Sequence, residues 1–231
     1  MIRTIVVAAV LLLQVAMATE RVTITTPDGS TLAARFFDAG NGAPGVLFFP
    51  MCSPGATEGW TPVAERLQTA GVSSLITSYR GDPGNTTGNG QGNQRGPDSD
   101  AALAYLRSRV GADAPVAFAG SSCGVSLALR TAAASPKGTR AAVALSGPHT
   151  QEQMDYVKTT PALAVFSGAS VTEPPSPEWA RALEEASAHP ASRAVILEQR
   201  AHGTDLFGVH PTLATDIADW LVTQLKAPPR G

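Results

Sequence analysis

Ser122 lies at the centre of Gly120-Ser121-Ser122-Cys123-Gly124, a G-x-S-x-G pentapeptide. It follows the apolar run 115–120 and precedes the helix-like stretch 125–134, the strand–turn–helix setting this motif requires. A serine held on such a turn has its hydroxyl pushed into the open. The N–H of the next residue, Cys123, then points at an oxyanion developing on a carbonyl under attack. The flanking glycines are needed because a side chain at either place would collide across the turn. A hydroxyl is a poor nucleophile at neutral pH and needs an adjacent base to take its proton. Four histidines, His149, His189, His202 and His210, compete for that role.

The chain that must position these groups has 231 residues, 43% hydrophobic and 16% charged, enough for one sizeable core and too little for two. A formal charge of −2 without a basic cluster argues against nucleic acid as a partner. After residue 20 no apolar stretch approaches the ~20 residues of a spanning helix, so no stable membrane insertion is expected once a leader is removed. Residues 1–18 read as that leader. Arg3 is the only charged side chain before Glu20, 5–13 is an apolar run, and Ala16-Met17-Ala18 offers small residues where a signal peptidase reads. The expected organisation is a signal peptide, 1–18, and a single domain, 19–231, secreted or periplasmic. A short N-terminal membrane anchor is the alternative.

Beyond the leader, strand and helix alternate. Segments 21–26 and 31–37 flank the turn-forming Pro27-Asp28-Gly29-Ser30 and read as an antiparallel hairpin. Continuous apolar character marks 45–50 as a buried strand, and 72–79, 115–120, 140–146, 162–167 and 191–197 follow. Helices are expected after Thr61-Pro62, with Thr61 as cap, and at 100–110, 125–134, 176–186 and 212–226. Such alternation implies a mostly parallel sheet covered on both faces. The glycine-rich stretch 80–96 breaks the rhythm. It holds no large apolar residue and reads as a long loop, either a surface insertion or a border of the site at the carboxyl end of a strand. The tail 227–231 reads as frayed.

Leu47-Phe-Phe-Pro-Met-Cys-Ser-Pro-Gly55, Tyr79-Arg80-Gly81, Asp100-Ala-Ala-Leu-Ala-Tyr-Leu106, the pentapeptide around Ser122, and Ala201-His202-Gly203 together resemble the α/β-hydrolase family, in its compact dienelactone-hydrolase-like branch, over about 46–225. The resemblance implies an α/β fold: a mostly parallel central sheet with an N-terminal antiparallel hairpin, helices on both faces, and acyl transfer to water as the chemistry. Only about fourteen residues separate Ser146 from Pro161, which leaves no room for a lid domain. Dienelactone hydrolases carry cysteine at the nucleophile position, where this chain has Ser122; Cys123, one place past the apex, is a rival nucleophile.

In that family's chain order the histidine follows the last strand, which assigns the base to His202. His149 lies on the same edge after the strand ending in Ser146, and His189 and His210 read as surface residues. An aspartate is usual a few residues beyond the strand that here is 162–167. This chain has none there, and Glu173 is the only carboxylate close enough; Asp205, another acid, or no acid at all stay open. The oxyanion donors would be the N–H of Cys123 and that of Met51 or Cys52. Cys52 and Cys123 are the only cysteines. The implied architecture places both beside the oxyanion hole, where a disulfide would tie the two donor loops; two small buried thiols are the alternative. No metal spacing and no cofactor motif is present. The function expected is an exported serine hydrolase acting on a small-molecule or extended carboxylic ester. A peptidase or amidase, or an inactive binding protein lacking the acid, are the rivals.

Signal cleavage after Ala18 would give a mature chain starting at Thr19. N-terminal sequencing of protein recovered from periplasm or medium checks this, and a chain that keeps Arg3 would point to the anchor instead.

Overall fold

The computed structural model describes residues 19–53, 55–82 and 95–228. The expected leader, most of the glycine-rich stretch and the last three residues lie outside the described residues. In chain order the elements are β1 (Thr19–Thr25), β2 (Thr31–Phe37), β3 (Gly45–Phe49), α1 (Thr61–Thr69), β4 (Ser73–Thr77), α2 (Arg95–Val110), β5 (Val116–Ser121) and α3 (Gly124–Ala134). There follow β6 (Thr139–Leu145), α4 (Gln151–Thr159), β7 (Ala164–Ser170), α5 (Ser176–Ala186), β8 (Arg193–Leu197), α6 (Leu206–Val209) and α7 (Leu213–Lys226). Short 3-10 turns occupy Ala56–Trp60 and Gly203–Asp205.

The strands form one eight-stranded sheet in the order β1-β2-β4-β3-β5-β6-β7-β8. The hairpin β1/β2 is antiparallel and joins β4 antiparallel; every pairing from β4 across to β8 is parallel. Successive side chains along a strand leave opposite faces, so a strand covered on both sides must be apolar throughout. In β3, Val46 and Phe48 enter the core under α1 and α7, while Leu47 and Phe49 enter the core under α2 and α3. β6 divides likewise, Val143 and Leu145 to the first face, Ala142 and Ala144 to a third cluster with α3, α4 and Leu183 of α5.

Two polar clusters explain where the expected boundaries moved. Arg80, expected in a free loop, is half-buried and forks onto Asp98 (Nε–Oδ1 2.8 Å) and Asp28 (Nη1–Oδ2 2.5 Å). Its side chain is 9% exposed and that of Asp98 5%, so removing Arg80 would strand a buried carboxylate at Asp98. Hydrogen bonds from Arg80 and then from Thr26 hold the Asp28 carboxyl well below the usual carboxylate range. This cluster fastens the hairpin turn, the chain after β4 and the first turn of α2. That helix therefore starts at Arg95, ahead of Asp100, with polar Asp98 and Ser99 buried in its opening turn. α4 is a helix not foreseen. Its signal is the capping box Thr150-x-x-Gln153, in which each side chain accepts from the other's backbone N–H. Thr61 opens α1 instead of capping it, and its hydroxyl accepts from Arg35 at 3.0 Å. His189, expected on the surface, is 6% exposed, with Nδ1 accepting the Ala191 N–H at 3.2 Å.

Where β5 turns into α3 there is no room for side chains. A Cβ on Gly120 would stand 2.2 Å from the Gly124 carbonyl oxygen, and one on Gly124 would stand 2.2 Å from that of Phe49. Because those neighbours are backbone, neither can move aside. Gly124→Ala is expected to cost about 2–3 kcal/mol or more, the range of an overpacked site. Gly208→Ala, in α6 with nothing within 4 Å, should instead stabilise by about 0.5 kcal/mol. Urea unfolding midpoints of the two variants check the contrast.

Candidate active site

Ser122 takes the turn between β5 and α3 at φ 53°, a left-handed conformation. A non-glycine residue adopts it only where the surroundings dictate it, at about 1–2 kcal/mol. Here they do: its N–H donates to the Leu145 carbonyl at 2.8 Å, and its own carbonyl accepts from Val125 at 3.0 Å. A Cβ on Gly147 would lie 2.1 Å from that same carbonyl oxygen, which closes the turn from the side of β6. The Ser122 residue stays partly exposed, while Ser121 before it is fully buried. Ser146, at the end of the neighbouring strand β6, repeats the left-handed step at φ 51°, a feature no local sequence signal announces.

Cys123 follows Ser122 as the residue preceding α3, and it is joined to Cys52 by a disulfide, Cα to Cα 5.9 Å. The cross-link bridges the turn after β5 and the loop after β3. Met51, in that loop, packs its side chain against the chain that carries His202. A Cβ on Gly203, itself at φ 55°, would stand 2.5 Å from Met51 Sδ. Gly59 and Thr204 meet in the same way, at 2.1 Å for an added Cβ, and the rings of Trp60 and Phe207 lie 5.7 Å apart. The loop after β3 and the loop after β8 are thus keyed into each other.

His202 and Glu173 are brought together: Nδ1 and Oε2 are 2.8 Å apart, with the side chains 40% and 27% exposed. Glu173 is placed by a turn beyond β7, in which its N–H donates to the Ser170 carbonyl and its carbonyl accepts from Ser176. Asp205, the competing acid, is exposed, and the bond it gives His202 is from its backbone N–H to the His202 carbonyl. His149 lies after β6 with Nε2 buried and unpartnered among the described residues. Burial holds its ring below the usual imidazole range, against backbone hydrogen bonds at Trp179 and Thr150 that favour the cation. Among the described residues no group of three or more His, Cys, Asp or Glu could hold a metal ion.

Such a constellation can do acyl chemistry: a hydroxyl on a tight turn at the carboxyl edge of a parallel sheet, and an imidazole whose far nitrogen is backed by a carboxylate. A scan against protein-family models finds no match, and a search of curated proteins finds none either. Solved structures do match. A predicted CIB-like hydrolase from Thermoplasma acidophilum superposes with a TM-score of 0.72 at 15% identity, covering 90% of this chain and 100% of that one. An esterase of Pyrococcus furiosus gives 0.70 at 16% identity, with 95% and 98% covered. A dienelactone hydrolase from Anabaena variabilis gives 0.68 at 18%, with 93% and 99% covered. At this identity the likeness establishes the fold alone.

The disulfide closes a separation of 71 residues. Replacing both cysteines with serine should cost about 4 kcal/mol on the chain-entropy model. Intact mass after alkylation should show no modified thiol without reduction and two with it.

Proposed function

The chain has the α/β-hydrolase fold, and we propose that it is an exported serine hydrolase cleaving a carboxylic ester or related acyl bond. The observation that carries this reading is the His202–Glu173 pair, on a loop where a Cβ on Gly203 would lie 3.3 Å from the Cβ of Ser121, the residue before a serine held left-handed at the turn after β5. A carboxylate next to Nδ1 accepts its N–H and leaves Nε2 as the proton acceptor. Ser122 then gives its proton to His202 as its oxygen attacks the substrate carbonyl. The N–H of Cys123 and that of Met51 or Cys52 stabilise the tetrahedral oxyanion, and the leaving alcohol takes the proton back from His202. Water, activated by the same imidazole, releases the acid from the acyl-enzyme.

In this reading glutamate does the work that the resembled family gives to aspartate, and the 2.8 Å contact of Glu173 with His202 supports it over an inactive binding protein. Between β6 and β7 stands the nine-residue α4, and no lid domain is inserted there. An open site of this kind suits small or extended acyl substrates. Export is supported by the apolar N-terminal segment and by a disulfide, which persists in oxidising compartments.

Ser122→Ala should abolish both hydrolysis of a short chromogenic ester and labelling by a fluorophosphonate, with the fold intact. Glu173→Gln should lower kcat by up to ~10⁴-fold, the effect of mis-set imidazole orientation. Peptide mapping of the labelled site decides the nucleophile; a label on Cys123, or full activity in Ser122→Ala, would reject the assignment.

A further inference from the structure

We infer that Gly59 and Thr204 form a positioning pair for the general base: the Thr204 side chain fills the space that a Cβ on Gly59 would need, and this fit sets where the His202 loop rests. This deepens the proposed function and rests on it. A methyl group added at Gly59 would stand 2.1 Å from Thr204 Oγ1 and 2.7 Å from Thr204 Cβ. Rotating the Thr204 side chain moves the oxygen but leaves Cβ in place, so only a backbone shift relieves the second contact. The Thr204 hydroxyl is buried and has no hydrogen-bond partner among the described residues. An unpaired buried hydroxyl costs stability, so Thr204 acts at this contact through its shape.

The two sides of the contact are not equally free to move. Gly59 is followed by Trp60, which is fully buried, with its ring 4.9 Å from that of Phe48 and its Nε1 donating to the Phe49 carbonyl at 3.4 Å. Gly59 is thereby tied to the end of β3. Thr204 belongs to the 3-10 turn Gly203–Asp205, closed by the Asp205 N–H on the His202 carbonyl at 3.0 Å, and it leads into a histidine side chain that is 40% exposed. A shift of Thr204 is passed to His202 within that one turn. Gly203, between them, already touches the support of the nucleophile turn, since a Cβ there would lie 2.5 Å from Met51 Sδ and 3.3 Å from Ser121 Cβ. The Nδ1–Oε2 distance of 2.8 Å between His202 and Glu173 leaves little slack. A displacement of about 1 Å would carry the pair out of hydrogen-bond range.

The test uses the mature, disulfide-bonded chain with Gly59→Ala, Thr204→Gly and the two combined. Gly59 does not have a positive φ, so alanine suits its backbone and the added methyl acts through the contact alone. In Gly59→Ala, kcat for p-nitrophenyl acetate should fall on the order of 10²-fold with KM within about threefold, as for a base displaced by about 1 Å. The double variant moves the bulk from one side of the contact to the other. It should regain at least about tenfold of that loss, although Thr204→Gly alone lowers kcat. In protein carrying isotope-labelled histidine, the Nδ1–H resonance of His202, identified by its change in Glu173→Gln, should shift in Gly59→Ala and return in the double variant. Wild-type kcat or an unmoved resonance in Gly59→Ala overturns the proposal. So does a double variant whose loss is the product of the two single losses, or a KM rise that accounts for the whole effect, since these mark a contact that supports the fold without placing the base. Should Gly59→Ala fail to fold, the double variant decides: folded and active it supports the fit, and equally unfolded it overturns it. Absence of any fluorophosphonate label on Ser122 in the wild-type protein is a distinct result. It removes the serine-hydrolase reading, while the histidine resonance still judges whether Gly59 and Thr204 place His202.

Discussion

Everything in the candidate site hangs on how closely two backbone segments approach. β3 and β5 are neighbours, paired in register up to Phe49 opposite Gly120, and the chain leaving β5 is pressed onto the chain leaving β3. Gly120 and Gly124 have no space for even a methyl group, because the atoms in the way are carbonyl oxygens. That contact sets the turn carrying Ser122 against the loop carrying Met51 and Cys52 before any catalytic side chain is considered. The histidine loop is then seated on the same support, through Gly203 against Met51 and Thr204 against Gly59. Glu173 arrives from a third strand and reaches His202 with its side chain alone.

The arrangement holds strain, and the magnitudes show why it persists. Ser122 and Ser146 both sit left-handed, at about 1–2 kcal/mol each. Against this stands a sheet whose central strands are buried on both faces, with Phe48, Phe49, Phe118 and Phe166 at most 1% exposed. Truncating one such aromatic typically removes about 3–5 kcal/mol. A single core side chain therefore offsets the two strained turns, and the scaffold can hold the serine where an isolated peptide would not.

What could be read from the sequence was what is local. The hairpin, the buried strands and the turn at Ser122 announce themselves through periodicity, turn residues and paired glycines. His202 followed from its place after the last strand. Glu173 was reached only by elimination, since nothing within its own stretch shows that its carboxylate meets an imidazole from another loop. α4 stayed hidden because it buries little apolar surface, though its Thr150–Gln153 box was present in the sequence. The start of α2 was masked for a different reason. Its first turn buries Asp98 and Ser99, and a buried carboxylate reads as loop until its partner Arg80 is known. The hydroxyl of Tyr79 meeting the Pro50 carbonyl depends on two strands lying side by side, and no spacing encodes it.

The cross-link between Cys52 and Cys123 also alters the topology of the chain. It makes α1, β4, α2 and β5 members of a covalent ring, with the glycine-rich stretch inside the same circuit. A protease that cuts one peptide bond anywhere in that circuit opens the ring without releasing a fragment. The loop after β3 and the turn bearing Ser122 stay on one molecule, tethered by sulfur where the polypeptide is broken. Between Cys52 and Cys123, then, a single cut cannot divide the protein.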